Sequence, residues 1–159
     1  MVDRWISLRR IAGLITLWIL YSILTVAPAH AQSWVGARLG MYADREDAFI
    51  GIELLTRVLR DMYFNPNIEY IFVEGATFFT LNFDIHYDFY STRDTSLWIG
   101  AGFAVLYFNP EGPRAADTDA GINVIFGAAL VGRPITPYLQ AKIVITENSE
   151  FVLAMGLRF

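Results

Sequence analysis

Seven ionisable side chains could do chemistry in the chain beyond residue 31: Arg38, Glu53, Glu69, Asp84, His86, Lys142 and Arg158. His86 is the single histidine there, and the chain has no cysteine, so no metal-ligand cluster is expected. Nucleophilic catalysis needs a hydroxyl or thiol paired with a base. The local sequence His86-Tyr87-Asp88 supplies no such pair. Gly100 and Gly102 are too few for a phosphate-binding fingerprint and fall within a strand-like stretch. No catalytic residue, metal site or cofactor is therefore expected. The seven charges read instead as a pairing network. The bases Arg38, Lys142 and Arg158 lie near the two ends of the segment, and the acids Glu53, Glu69 and Asp84 lie between them. They can meet only if the chain closes on itself. Burying any of them alone would be costly, so they should pair or hold water. The alternative is a set of separate solvated charges in a wet interior.

The elements that must position these residues are strands of period two. Phe79, Leu81, Phe83, Ile85, Tyr87 and Phe89 alternate with Thr80, Asn82, Asp84, His86 and Asp88, so one face is apolar and the other polar. The chain closes on Phe151, Leu153, Met155, Leu157 and Phe159, which alternate with Val152, Ala154, Gly156 and Arg158. Small residues take the second face around residues 98–104 and 121–129, which suits a narrow interior into which larger side chains project from elsewhere. Eight strands are expected: Trp34–Tyr42, Ala48–Arg57, Asn65–Val73, Thr77–Phe89, Leu97–Phe108, Asp119–Val131, Pro137–Thr146 and Glu150–Phe159. Most match the ~9–11 residues that cross a bilayer as a tilted strand. The breaks carry turn residues such as Glu74-Gly75 and Gly132-Arg-Pro134. Val58–Phe64 is the least clear join and is compatible with a short helical turn.

The first 31 residues have a different character. Arg4, Arg9 and Arg10 precede an apolar run from Ile11 to Val26, and Ala27-Pro-Ala-His-Ala31 follows. This is the pattern of a cleavable secretory signal peptide, with cleavage expected after Ala31 or else Ala29. The competing reading is an uncleaved anchor, but the run is shorter than the ~20 residues of a spanning helix. Arg9-Arg10 could also mark twin-arginine export, although the flanking residues fit that poorly. The expected mature domain, 32–159, carries nine Lys and Arg against 15 Asp and Glu, a formal charge of −6. Nucleic acid is excluded as a partner, because phosphate neutralisation needs a basic surface. With no disulfides, stability must come from a closed hydrogen-bonded ring.

On these features the chain resembles the small eight-stranded bacterial outer-membrane β-barrels, typified by the outer-membrane protein A transmembrane domain and the opacity-like surface proteins. The resemblance rests on the leader, the alternation and the terminal Phe159 after Gly156. It implies an all-β, antiparallel, up-and-down transmembrane β-barrel in the bacterial outer membrane, contacting outer-membrane lipid. In that family the terminal strand is read by the barrel-assembly machinery, which makes Gly156 and Phe159 the expected assembly signal. Both termini would face the periplasm. Trp34, Tyr63, Tyr87, Phe89, Tyr138 and Phe159 would then form one aromatic girdle, and Tyr42, Phe72, Phe79, Tyr107 and Phe151 the other. The longest outer loop would be Asn109–Thr118. Some relatives are lipid A-modifying enzymes with a His-x-Ser pair. Here Asp88 stands at the serine position, and a carboxylate cannot replace the hydroxyl nucleophile. A structural or surface-interaction role is expected, without an open diffusion pore, since eight strands leave an interior filled by side chains. The competing class is a soluble lipocalin-like barrel, with the apolar faces inside around a lipid ligand and the charges in water.

Overall fold

The computed structural model describes residues 32–113 and 115–159. The expected signal peptide, 1–31, lies outside the described residues. The domain is built from β1 (Ser33–Tyr42), β2 (Asp47–Leu59), β3 (Met62–Val73), β4 (Ala76–Ser91), β5 (Ser96–Pro110), β6 (Asp117–Ala129), β7 (Thr136–Ile145) and β8 (Glu150–Arg158). Each strand pairs antiparallel with its neighbours in sequence, and β1 pairs with β8 from Gly36↔Arg158 to Tyr42↔Val152. The sheet thus closes into a barrel with no free edge. We call the end carrying Ser33, Arg158 and the turns at 60–61, 92–95 and 130–135 the terminal rim. The opposite end, with the connections 43–46, 74–75, 111–116 and 146–149, is the loop rim.

Several strands run beyond their expected limits. β5 and β6 extend into the stretch expected as a ten-residue loop and leave only 111–116 between them. The Val58–Phe64 join is not helical. β2 continues to Leu59, β3 begins at Met62, and Arg60-Asp61 form a two-residue turn. Neither turn residue has positive φ, so the turn is not of the primed type that matches strand twist. A register shift between Arg57 and Leu59 takes up the difference. At 74–75 the left-handed position falls on Gly75, with φ 66°. Pro66 sits inside β3, where it has no N–H to offer its neighbour. The side chain of Asn65 substitutes for it: Nδ2 donates to the Leu54 carbonyl at 3.1 Å.

Polarity is inverted relative to a soluble barrel. Large apolar side chains cover the outside, with Phe103 68%, Ile52 63% and Val35 62% exposed, whereas Asp84 and Glu69 are fully buried. This overturns the lipocalin-like alternative, which requires the apolar faces inside. Tyr70, Phe72, Tyr87, Phe89, Tyr90, Phe151 and Phe159 are exposed on the outer face. Phe79 and Tyr107 stack at 4.9 Å. Four members of the expected girdles are elsewhere: Tyr42, Tyr63 and Tyr138 are buried, and Trp34 lies 6.2 Å from Tyr63. Their places in the alternation put them on the inward face, together with the charges.

The interior is layered. Near the loop rim Tyr42, Phe49, Ile71, Phe78, Val144 and Val152 form part of an apolar cluster that fills the lumen. Near the terminal rim Trp98, Ile125, Ala129 and Tyr138 form a second one. Such large groups fit because inward glycines face them across the ladder. Trp98 pairs with Gly127 and Tyr138 with Gly156, and in each case the ring occupies the space a Cβ would take. Gly127→Val is expected to force Trp98 out of place and to destabilise the barrel by about 1–3 kcal/mol. The lipid-compatible outer face offers the control, Ala101→Val, which should be neutral. The urea midpoint for loss of the compact, fast-migrating form in detergent measures both.

Candidate functional site

All seven residues expected to form the lumen network lie inside the barrel: Arg38, Glu53, Glu69, Asp84, His86, Lys142 and Arg158 are each buried. Alternation alone dictates this, since each occupies the inward phase of its strand. Six of them form a continuous polar belt between the two apolar clusters. Arg158 Nε donates to Glu53 Oε1 at 2.7 Å. Arg38 lies between two acids, with Nη1 3.7 Å from Glu53 Oε2 and Nη2 3.2 Å from Glu69 Oε1. These are charge contacts without hydrogen-bond alignment, because none of the Arg38 nitrogens makes a hydrogen bond. Lys142 Nζ reaches across the lumen from β7 to β3 and donates to both Glu69 oxygens at 2.9 Å. Three bases thus alternate with two acids along one chain of contacts.

The third acid, Asp84, is held differently. Asn123 Nδ2 donates to its Oδ1 at 2.8 Å and Asn67 Nδ2 to its Oδ2 at 3.0 Å. Asn82 joins the two halves: it donates to Asn67 Oδ1 and accepts from Asn123, both at 2.9 Å. Lys142 Nζ lies 3.5 Å from the Asn82 oxygen. Tyr42 and Thr80 donate to Glu69 Oε2 at 2.7 and 3.2 Å, which ties the belt to the loop-rim cluster. Three formal positive charges face three negative ones, so the belt is balanced.

Glycine makes these contacts possible. Glu53 and Arg158 are both register partners of Gly36, from the two sides of β1. Arg38 and Glu69 flank Gly51 of β2 in the same way. Asp84 and Asn123 flank Gly102 of β5. Each interacting pair therefore meets across a strand whose intervening residue has no side chain. The asparagines at 65, 67, 82 and 123 are the site residues that sequence reasoning missed. Their inward phase was readable, but their register was not.

His86 stands apart from the belt. Its ring stacks on Trp98 at 5.7 Å, and Nε2 has no hydrogen-bond partner among the described residues. The neighbouring Asp88 accepts from Ser96 Oγ at 2.7 Å. No metal-binding group of His, Cys, Asp and Glu occurs among the described residues. Gly156 and Phe159 differ in setting. Gly156 lies beneath the Tyr138 ring, while Phe159 is 58% exposed and its N–H donates to the Val35 carbonyl at 2.9 Å.

The β1–β2 connection folds over the loop rim. Arg45, in the β1–β2 connection, pairs with Glu150 and lies 5.0 Å over the Phe78 ring. Asp44 Oδ2 accepts from the Phe151 N–H at 2.6 Å. The connection is thereby tied across the β1–β8 closure to the start of the last strand.

No protein-family model matches the sequence, and no curated protein matches it. Solved structures do share its architecture. The N-terminal β-barrel domain of Pseudomonas aeruginosa OprF is similar with a TM-score of 0.68 at 14% identity, over 82% of this chain and 98% of that one. Neisserial surface protein A is similar with a TM-score of 0.65 at 14% identity, over 80% of this chain and 97% of that one. The outer membrane enzyme PagL is similar with a TM-score of 0.56 at 12% identity, over 80% of this chain and 99% of that one. The chain therefore has the fold of the small eight-stranded outer-membrane β-barrels.

Two outcomes test the belt. Glu69→Gln leaves Lys142 and Arg38 without their shared acid and should cost about 3–5 kcal/mol by urea midpoint. Adding Lys142→Met should restore part of that loss, giving a non-additive double-mutant cycle. Lys142 is also the chain's single lysine. Its side chain should resist amine-reactive reagents in the folded barrel and react once the protein is boiled in SDS, read as a mass increment on the peptide that contains it.

Proposed function

We propose that this chain is an integral protein of the bacterial outer membrane, with a structural or surface-interaction role and a lumen closed to diffusion. The observation that carries this reading is the inverted polarity: an exterior of exposed Val, Leu, Ile and Phe around a buried, charge-balanced belt. Such an exterior is stable in lipid, where every backbone group must be satisfied within the sheet. A water-exposed apolar band of this extent is untenable for a soluble monomer. The fold likeness to outer-membrane barrels supports the same setting.

The packing supports a closed lumen. The apolar cluster near the loop rim and the ion-pair belt beneath it lie in series along the barrel axis, so a solute would have to displace both. Eight-stranded barrels have interiors just wide enough for side chains to fill. In the membrane the terminal rim would face the periplasm and the loop rim the outside. The outer connections are then 43–46, 74–75, 111–116 and 146–149, and the longest has no more residues than the turn 130–135 of the other rim. This compactness favours a contact role for the barrel wall and rim over long grasping loops. The exposed residues 111–113 and 115–116 are the best placed of the four connections for an external contact.

We further propose that the chain is not an enzyme and needs no cofactor. Its single described histidine contacts an indole rather than a hydroxyl, and the reading of Asp88 at the serine position stands beside that. Assembly would proceed through recognition of the β8 strand by the barrel-assembly machinery, with the exposed ring of Phe159 as the contact. Gly156, occupied from above by Tyr138, would serve packing in the finished barrel.

Native membrane-fraction protein should run fast in SDS without boiling and shift to about 14 kDa on boiling, the mass of 128 of 159 residues of an 18.0 kDa chain. Recovery in the soluble fraction with no shift would refute the membrane assignment. Vesicles containing the heat-modifiable form should swell no faster in small sugars than empty vesicles. Removing Phe159 should lower the amount of heat-modifiable protein in cells, read on the same gel.

A further inference from the structure

The outer wall of the barrel is not uniform. A groove of 1040 Å³ crosses it, and its course follows the hydrogen-bond ladder. Ala128, Leu139, Met155, Leu39, Ile50 and Tyr70 are successive cross-strand partners from β6 through β7, β8, β1 and β2 to β3, and all of them line it. The last five are exposed apolar or aromatic side chains. Beside this row lies the inward-facing row Gly156, Arg38 and Gly51. Gly156 and Gly51 also line the groove, so its floor is the sheet itself. Ala37 and Pro137, on the far side of that floor, are too small to cover it.

The dimensions suit one leaflet. Six strands spaced ~4.8 Å apart give the groove a length of about 24 Å. A ladder row lies across the strands, and barrel strands tilt by ~35–45°, so the groove rises roughly 14–17 Å along the barrel axis. Half of a ~30 Å hydrocarbon core is the same depth. One end lies at the terminal rim, at Thr95 and Leu130, and the other at Ile68 and Tyr70, short of the loop-rim end of β3 at Val73. Charge distinguishes the two ends. Val131 N–H donates to the Asp94 carbonyl at 3.1 Å and joins the turns 92–95 and 130–135 beside the first end. These turns carry Arg93 and Arg133 against Asp94. Both arginines are exposed, and neither enters an ion pair among the described residues. The loop-rim connections carry Asp44, Glu46, Glu74, Glu111 and Glu147 against Arg45 and Arg114.

We propose that this groove holds an acyl chain of an anionic phospholipid from the leaflet at the terminal rim, with the lipid phosphate at Arg93 and Arg133. Such binding presupposes the membrane setting proposed above and names the lipid that the wall selects. An arginine on an exposed turn can lay its stem along the apolar edge and keep its head at the phosphate level. A lipid entering from the loop rim would meet the acids first. A second copy of the chain fits the groove poorly, because in a twofold contact the groove would face itself and leave a void.

The test uses the barrel in phosphatidylcholine vesicles, with the heat-modifiable gel form verified for every sample. A trace of phosphatidylglycerol or phosphatidylcholine, spin-labelled at the same acyl carbon, is added. Electron paramagnetic resonance then reads the motionally restricted fraction of each. The barrel should restrict phosphatidylglycerol about threefold more favourably than phosphatidylcholine at low salt. Ala37→Phe, which fills the groove, should bring the ratio close to one. Ala101→Phe, on the outer face away from this groove, should leave it unchanged. Arg93→Gln combined with Arg133→Gln should also bring the ratio close to one. Should Ala37→Phe not reach the compact form, Ala37→Leu takes its place with a smaller drop expected. A ratio of one for the unaltered barrel overturns the proposal. A ratio unmoved by the Ala37 change overturns the groove, and one unmoved by the paired arginine change overturns the phosphate contact. A barrel that never inserts sinks the membrane reading itself, whereas a ratio of one on inserted, heat-modifiable protein leaves that reading standing.

Discussion

Arg158 reaches Glu53, Arg38 reaches Glu69 and Asn123 reaches Asp84, each across a strand that carries glycine at the crossing point. This geometry is the constraint on which the interior depends. Eight strands enclose a lumen too narrow for every inward position to hold a large side chain. Gly36, Gly51 and Gly102 yield their volume so that neighbours two strands apart can interact. The same exchange seats Trp98 over Gly127 and Tyr138 over Gly156. The ion pairs and the ring packing are thus two uses of one steric arrangement. A one-residue slip between any two strands would break both at once.

The arrangement also explains how a chain without cysteine or a soluble-type core holds its shape. In a lipid setting the outward Val, Leu, Ile and Phe gain little by finding one another, so specificity must come from inside. A buried charge without its partner is strongly destabilising. A balanced set of three bases and three acids, interleaved with asparagines, can be satisfied in few registers. The belt therefore selects among closures rather than adding a large net stability. The apolar clusters on either side keep water from loosening it, and Tyr42 belongs to both layers through its bond to Glu69.

Function follows from what this packing leaves over. At the loop rim Arg45 pairs with Glu150 over the apolar cluster. The connections there are short, and the barrel ends almost flush with its strands. At the terminal rim the aromatic cluster stops short and leaves a vestibule lined by Trp34, Tyr63 and Arg158. The two ends of one scaffold thus differ in how their interiors are filled. The fold by itself assigns a task to neither.

Period-two alternation was legible in the sequence because side-chain phase is a local property. Phe79 to Phe89 and Phe151 to Phe159 declared their outward faces, and with them the inward phase of Arg38, Glu53, Glu69, Asp84, His86, Lys142 and Arg158. The number of strands followed from turn residues, except at Arg60-Asp61, where neither glycine nor proline marks the hairpin. What alternation could not convey was height along the barrel axis. Tyr42, Tyr63 and Tyr138 were read as girdle members because aromatic residues near strand ends suit a membrane interface, yet their phase points inward and glycine partners or polar neighbours receive them. Nor did the sequence distinguish Asn67, Asn82 and Asn123 from any other polar strand residue. Their bonds depend on stagger between strands up to 41 residues apart, and stagger is set only when β1 meets β8. Composition and phase, which are local, determined the class of barrel and which face is which. The tertiary structure alone decided who pairs with whom, because register is a property of the closed ring.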